Sequence, residues 1–319
     1  MGQYIDKNVD DIIIALNKKS KRDFPLNSVK LRQQVIHVSP AYRDFILKII
    51  KNGSLKIRRS YALNFTEVGG SGEKNKLSKR AKNTVYASIN NYDNLPHELG
   101  HAVDFWFGLS SPLSSTIKVN DKETLFDIFN KEFEEKKDEL FSLIIHEYED
   151  LVDSKIGKGT FALIKEGLPF YDELKNIKVD KKNKAITKKR NKLQMHLYNT
   201  GFVEAYYNLY MSGCYMEING KYSPILDALS SSFDLSHLFL AHHSLEYYSD
   251  FDSLAVEEFF ANLFAAKIAS KHKYFDNLIK YLPKSFSAFE QLFVIFYDRI
   301  QNNKRFNDVI RKETISINA

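Results

Sequence analysis

The sequence predicts an α+β fold that is predominantly helical, with a small sheet beside one short helix bearing two histidines. Three observations lead there. Segments rich in β-branched residues are few and short, at 55–58, 61–68 and 84–89. Apolar residues recur at three- and four-residue spacing through most of the remainder. The last strand segment passes through a turn at 90–93 straight into Leu95-Pro96-His97-Glu98-Leu99-Gly100-His101-Ala102-Val103-Asp104. Asp93 or Asn94 is placed to cap that helix, and Pro96 falls in its first turn, where a missing N–H is harmless.

The 319 residues, 44% hydrophobic and 13% aromatic, can bury one large core or two small ones. No apolar run approaches the roughly 18 residues of a membrane span, and residues 1–10 lack the basic and apolar regions of a signal peptide. The expectation is no transmembrane segment and no membrane partner. Cys214 is alone, so no internal disulfide can form, and a buried thiol is expected. The net charge of +6 raises nucleic acid as a partner. Its carriers concentrate in two tracts, at 74–82 and 181–192, and no aromatic residue interleaves either one. Such tracts read as solvated faces rather than base-stacking platforms, which disfavours nucleic acid.

In chain order, residues 8–18 and 39–52 are short amphipathic helices of an N-terminal packing segment, residues 1–54, with Ser39-Pro40 starting the second and Gly53 stopping it. The three strands follow, and Gly69-Gly70-Ser71-Gly72 between them is a flexible turn lacking the Gly-Lys-Ser/Thr ending of a phosphate-binding loop. An edge strand of that sheet could hold an extended peptide. One domain is expected over 55–319, interrupted by a helical insertion at about 112–234. Within it Phe126, Phe129, Phe133, Leu140, Ile144, Tyr148 and Leu151 mark one long helix with a core-facing stripe. Residues 202–211 mark another, whose tyrosines read as packing, and His146 and His196 stand alone and do not read as ligands. Residues 253–270 are apolar and Ala-rich enough for a buried helix.

His97 and His101 lie four residues apart, so on a helix they project from one face a turn apart, as two ligands of a single ion require. Glu98 beside them completes an H-E-x-x-H pattern, in which the imidazoles bind Zn²⁺ and the carboxylate stays off the metal and takes the proton of a metal-activated water. A third protein ligand is needed. The buried helix at 253–270 carries Glu257 and Glu258 side by side, and a cation would resolve the burial of one. Glu258 is preferred, because Ala261, Asn262 and Ala265 follow it at helical spacing and would let another helix approach, whereas Glu257 faces Phe260, Ala261 and Phe264. Asn262 can accept from the free ring N–H of a ligating histidine and so fix its tautomer; Asp104, on the face of the two histidines, could do the same.

The words His97-Glu98-Leu99-Gly100-His101-Ala102-Val103-Asp104 and Glu258-Phe259-Phe260-Ala261 resemble the catalytic domain of anthrax lethal factor and related zincin-like zinc peptidases. Leu282-Pro283-Lys284-Ser285-Phe286 before an apolar helix also resembles the end of that domain. A second resemblance joins His243-Ser244-Leu245-Glu246-Tyr247-Tyr248 to Glu258-Phe259-Phe260-Ala261-Asn262, and is to peptidase domains found with phage head-morphogenesis proteins. The matches span about a quarter of the chain, and the stretch between the second histidine and the glutamate is much longer here than in lethal factor. The resemblance implies a tyrosine whose hydroxyl steadies the oxyanion, with Tyr247 first by motif position and Tyr248 second. His243, just upstream, is a candidate for substrate contact.

The expectation is a zinc-dependent endopeptidase acting on a peptide or protein substrate. Zn²⁺ would be held by His97, His101 and Glu258, with Glu98 as general base and Tyr247 or Tyr248 as the oxyanion donor. The alternative is a phage-associated structural or interaction protein that keeps a zinc site without significant hydrolysis. The cytoplasm or a phage particle is the expected location, and delivery as a toxin-like effector stays open.

Overall fold

The structure, a computed structural model, describes residues 7–20, 28–52, 55–60, 65–67, 84–88, 95–105, 112–120, 122–178, 183–241, 243, 245–248, 253–269 and 272–302. In chain order the elements are helices α1 (Lys7–Lys19), α2 (Ser28–His37) and α3 (Arg43–Lys51), then strands β1 (Lys56–Ser60), β2 (Phe65–Glu67) and β3 (Thr84–Ser88). Helices α4 (Leu95–Asp104), α5 (Leu125–Lys155), α6 (Thr160–Asn176), α7 (Lys184–Asn199), α8 (Phe202–Ser212) and α9 (Cys214–Ser230) follow. The last are α10 (Leu245–Tyr248), α11 (Leu254–Ile268), α12 (His272–Tyr281) and α13 (Pro283–Gln301). The protein is thus predominantly helical with a small sheet. No described helix is long and apolar enough to cross a membrane.

The chain divides into two compact units, one made of Met1–Glu135 with Phe251–Ala319, the other of Lys136–Asp250. The second unit overlaps the interruption expected at 112–234 but begins later. The reason is that the start of α5 belongs to the first unit, where Phe129 packs against Phe259 with ring centroids 4.7 Å apart.

In the first unit the sheet has the order β1-β3-β2, with β1 parallel and β2 antiparallel to β3. β3, which leads toward α4, is therefore central, and β1 and β2 are the edges among the described residues. The expected helix at 39–52 is a 3₁₀ turn, Pro40–Tyr42, followed by α3, and α2 has no counterpart in the sequence reading. α11 is apolar on all sides and is buried almost throughout, as such a helix must be. Phe260 and Phe264 pack their rings on Phe289, Phe293 and Phe296 of α13 and on Phe45 of α3. The start of α13 explains the Leu-Pro-Lys-Ser word. Pro283 supplies no N–H, and the first-turn amides of Lys284 and Ser285, which have no partner within the helix, donate to the buried carboxylate of Glu132 at 3.0 and 2.7 Å, joined by the Ser285 hydroxyl at 2.6 Å. The turn at 90–93, the capping residues Asp93 and Asn94, the glycine run at 69–72 and the basic tract at 74–82 lie outside the described residues.

In the second unit the buried stripe of α5 runs through Leu140, Ile144, Tyr148 and Val152. The Tyr148 hydroxyl donates to the Leu238 carbonyl at 3.1 Å, and burial raises its pKa. α7 starts at Asn183, whose side chain accepts from the amides of Ala185 and Ile186, and turns into α8 through Gly201 at φ +78. Of the α8 tyrosines, Tyr207 departs from the packing expected of them. Tyr206 stacks on Phe202 and Tyr210 packs against Phe239 and Tyr215 while 54% exposed, whereas Tyr207 is 62% exposed. A periodic aromatic pattern tells which residues share a face but not whether another element covers it. Cys214 is a free, buried thiol.

Candidate metal centre

α4 buries Leu95, Leu99, Ala102 and Val103 and leaves His97 and His101 at its edge, with side chains 15% and 12% exposed. It lies beside β2 and β3 and packs most extensively on α11. That packing depends on Gly100. A Cβ there would lie 2.9 Å from the Ala261 Cα and 3.2 Å from its carbonyl oxygen, so the two backbones meet without a side chain between them.

The close crossing brings three donor atoms together. His97 Nε2 lies 3.1 Å from His101 Nε2 and 3.1 Å from Glu258 Oε2, and His101 Nε2 lies 3.5 Å from the same oxygen. Two ligands of a tetrahedral ion with bonds of about 2.0–2.1 Å stand about 3.3 Å apart. The triad therefore matches one face of such a tetrahedron. His97 Nδ1 is 3.1 Å from Asn262 Oδ1. An amide oxygen only accepts, so Nδ1 carries the proton and the Nε2 lone pair points at the triad. With a His97 lone pair and a Glu258 carboxylate oxygen at this distance, positive charge belongs among the three atoms, as a proton on His101 or as a cation. Among the described residues, His97, His101 and Glu258 are the His, Cys, Asp or Glu group placed to hold an ion.

The surrounding charges act in the same direction. Burial opposes charging the His101 ring, but the Glu258 carboxylate, with Glu98 and Glu257, outweighs it and pushes the pKa up to about 9. Burial raises the Glu257 pKa, although Ser253 donates to its carboxylate at 2.6 Å. Asp104 is pushed up to about 7 by burial and by Glu257, against the amide and hydroxyl of Ser114 and the nearby His101. Four carboxylates, those of Glu98, Asp104, Glu257 and Glu258, are buried here. A buried cluster this acidic favours a cation.

No protein-family model, curated protein or solved structure matches the chain.

The structure brings His97, His101, Glu258 and Asn262 together, with Glu98 buried on the same turn of α4. Asp104 plays a different part from the one expected. Its Oδ1 accepts from the Ser114 amide at 2.7 Å and its Oδ2 from the Ser114 hydroxyl at 2.8 Å, so it anchors the segment after α4 instead of orienting an imidazole. Tyr247, Tyr248 and His243 belong to the second unit. There the His243 ring stacks on Tyr247 at 4.2 Å and meets Tyr248 edge-on at 6.1 Å. Tyr248 is buried and Tyr247 half-buried. Sequence reasoning did not foresee Glu257 as part of the electrostatic surroundings. Its signal was present in the Glu257-Glu258 pair, since adjacent residues on a helix buried on all sides are both buried.

Proposed function

We propose that this chain is a zinc-dependent endopeptidase of zincin-like architecture. The observation that carries the reading is the spacing of His97 Nε2, His101 Nε2 and Glu258 Oε2 as one tetrahedral face, with Glu98 on the same helical turn. The resemblance of the two motif helices to lethal factor supports it. Zn²⁺ bound there would polarise a peptide carbonyl and acidify water. Glu98 takes the proton of the attacking water and passes it to the departing amine. Asn262 holds the His97 ring in the tautomer that leaves its Nε2 free to bind. β2, an edge of the sheet among the described residues and beside α4, would offer its backbone to an extended substrate segment by strand addition.

The test is zinc content and cleavage of a diverse peptide library, for the wild type and for Glu98→Gln. Both should hold about one zinc per chain, and only the wild type should cleave, with the variant slower by roughly 10²- to 10⁴-fold. Zinc bound in both with cleavage by neither would reject hydrolysis and leave a structural metal site.

A further inference from the structure

The second unit carries a pocket of its own. It lies between α5 and α6 and has a volume of about 450 Å³, within the range of sites that take small ligands. Phe141 and Ile145, one turn apart on α5, face Lys165, Leu168, Pro169 and Asp172 of α6. Their spacing of i, i+3, i+4 and i+7 sets these last four on one side of the helix. Phe161 and Leu238, both buried, complete the lining. The apolar wall is backed by further rings, since Phe141 stacks on Phe233 at 4.2 Å and Phe161 meets Tyr148 edge-on at 5.5 Å.

The two ends of this apolar channel carry opposite charges. The Lys165 side chain takes part in no hydrogen bond or ion pair among the described residues. At the other end Asp172 and Asp234 share one donor atom, His237 Nε2, at 3.1 and 3.2 Å. A charged imidazole neutralises one of the two carboxylates and a neutral one neither, so this end keeps a net negative charge. The contact uses Asp172 Oδ1, and Oδ2 has no hydrogen-bond partner among the described residues. Seven residues of helix rise about 10 Å, which sets the span from one end to the other. Within it, Pro169 has no N–H to give the Lys165 carbonyl, which is left without its usual helical donor.

We propose that this pocket binds a short peptide of two or three residues with free termini and apolar side chains. Its ammonium group meets Asp172, its carboxylate meets Lys165, and its side chains lie against Phe141, Ile145 and Phe161. An extended chain advances about 3.3 Å per residue, so two or three residues match the span. A peptide N–H also suits the carbonyl that Pro169 leaves free. Other occupants fit one end only. A fatty-acid anion would set hydrocarbon against Asp172, and a simple amine would bring a second cation toward Lys165. A single amino acid holds both charges on one carbon and cannot reach both ends.

Isothermal titration calorimetry on the full chain tests this with leucyl-phenylalanine and leucyl-alanyl-phenylalanine, the Glu98→Gln chain being run in parallel so that any hydrolysis is read apart from binding. At least one of the two should bind saturably, as a single peptide per chain. N-acetylation and C-terminal amidation should each weaken binding by at least about tenfold, because each leaves one charge of the pocket unmet. Lys165→Gln should abolish the penalty for amidation and keep that for acetylation, and Asp172→Asn should do the reverse. Lys165 is exposed, so its substitution should leave the melting temperature unchanged. Equal binding of free and blocked peptides, the absence of saturable heat with either peptide, or penalties that neither substitution alters would overturn the proposal. Decanoate or phenylalanine binding as tightly as the peptides would overturn it as well.

Discussion

Each unit contains a helix crossing that depends on a glycine, and the two glycines do different work. At Gly100 the neighbour is backbone, Ala261, and the close approach brings Glu258 to the histidines. At Gly167 the neighbour is the ring of Phe202, whose Cδ2 lies 2.0 Å from where a Cβ would stand. The first crossing places polar donors; the second seats an aromatic anchor that joins α6 to the α7–α8 turn. Small residues at a crossing therefore do not reveal by themselves whether a site or a core is being built. What is brought together decides it.

The largest stability effect should come from Gly167→Ala. A methyl group cannot fit beside the Phe202 ring, and overpacking of this kind lowers stability by about 1–3 kcal/mol, measurable by denaturant unfolding. Phe202→Leu in the same chain should recover part of that loss; full additivity of the two substitutions would show that they do not share the contact. Gly100→Ala should act on the metal before the fold. Displacing Ala261 by a few tenths of an ångström moves Glu258, so zinc affinity should fall about 10- to 100-fold, the range found when a ligand's support is disturbed. Loss of stability with unchanged zinc affinity would break the contrast between the two glycines.

Asp104 sharpens the comparison from the electrostatic side. Its pKa in the metal-free fold, about 7, stands above the ordinary value of 3.8, so the folded chain binds its proton more tightly than the unfolded chain. Its contribution to stability is fully present below about pH 4 and is lost as the pH rises through about 7. Chelator-treated protein should therefore lose melting temperature across that window, and Asp104→Asn should flatten the profile. In the second unit the partner effect is smaller. Glu147 accepts from Lys221 and Tyr222, and although burial opposes it these bonds lower its pKa, so the contribution is present above its ordinary value and fades as pH falls through the lowered one. The pair is largely exposed, and Glu147→Gln should change stability by less than about 1 kcal/mol.

The polar crossing was the more legible of the two in the sequence. His97 and His101 share a face by helical period alone, and a carboxylate inside an apolar helix demands a partner, which pointed to Glu258. The attachment of Asp104 to Ser114 was not readable, because it depends on the path of the segment after α4 and not on any spacing. The exposure of Tyr207 was hidden for a related reason. The tyrosines of α8 look like core residues, and only the placement of the neighbouring elements shows that Tyr207 is left uncovered while Tyr206 and Tyr210 find aromatic partners.

Zinc K-edge X-ray absorption on the zinc-loaded chain tests the central claim most directly. The account predicts a nitrogen and oxygen shell at about 2.0–2.1 Å with outer-shell scattering from two imidazoles, reduced to one in His101→Ala if any metal remains. A sulfur contribution at about 2.3 Å, or no zinc retained after dialysis, would contradict it.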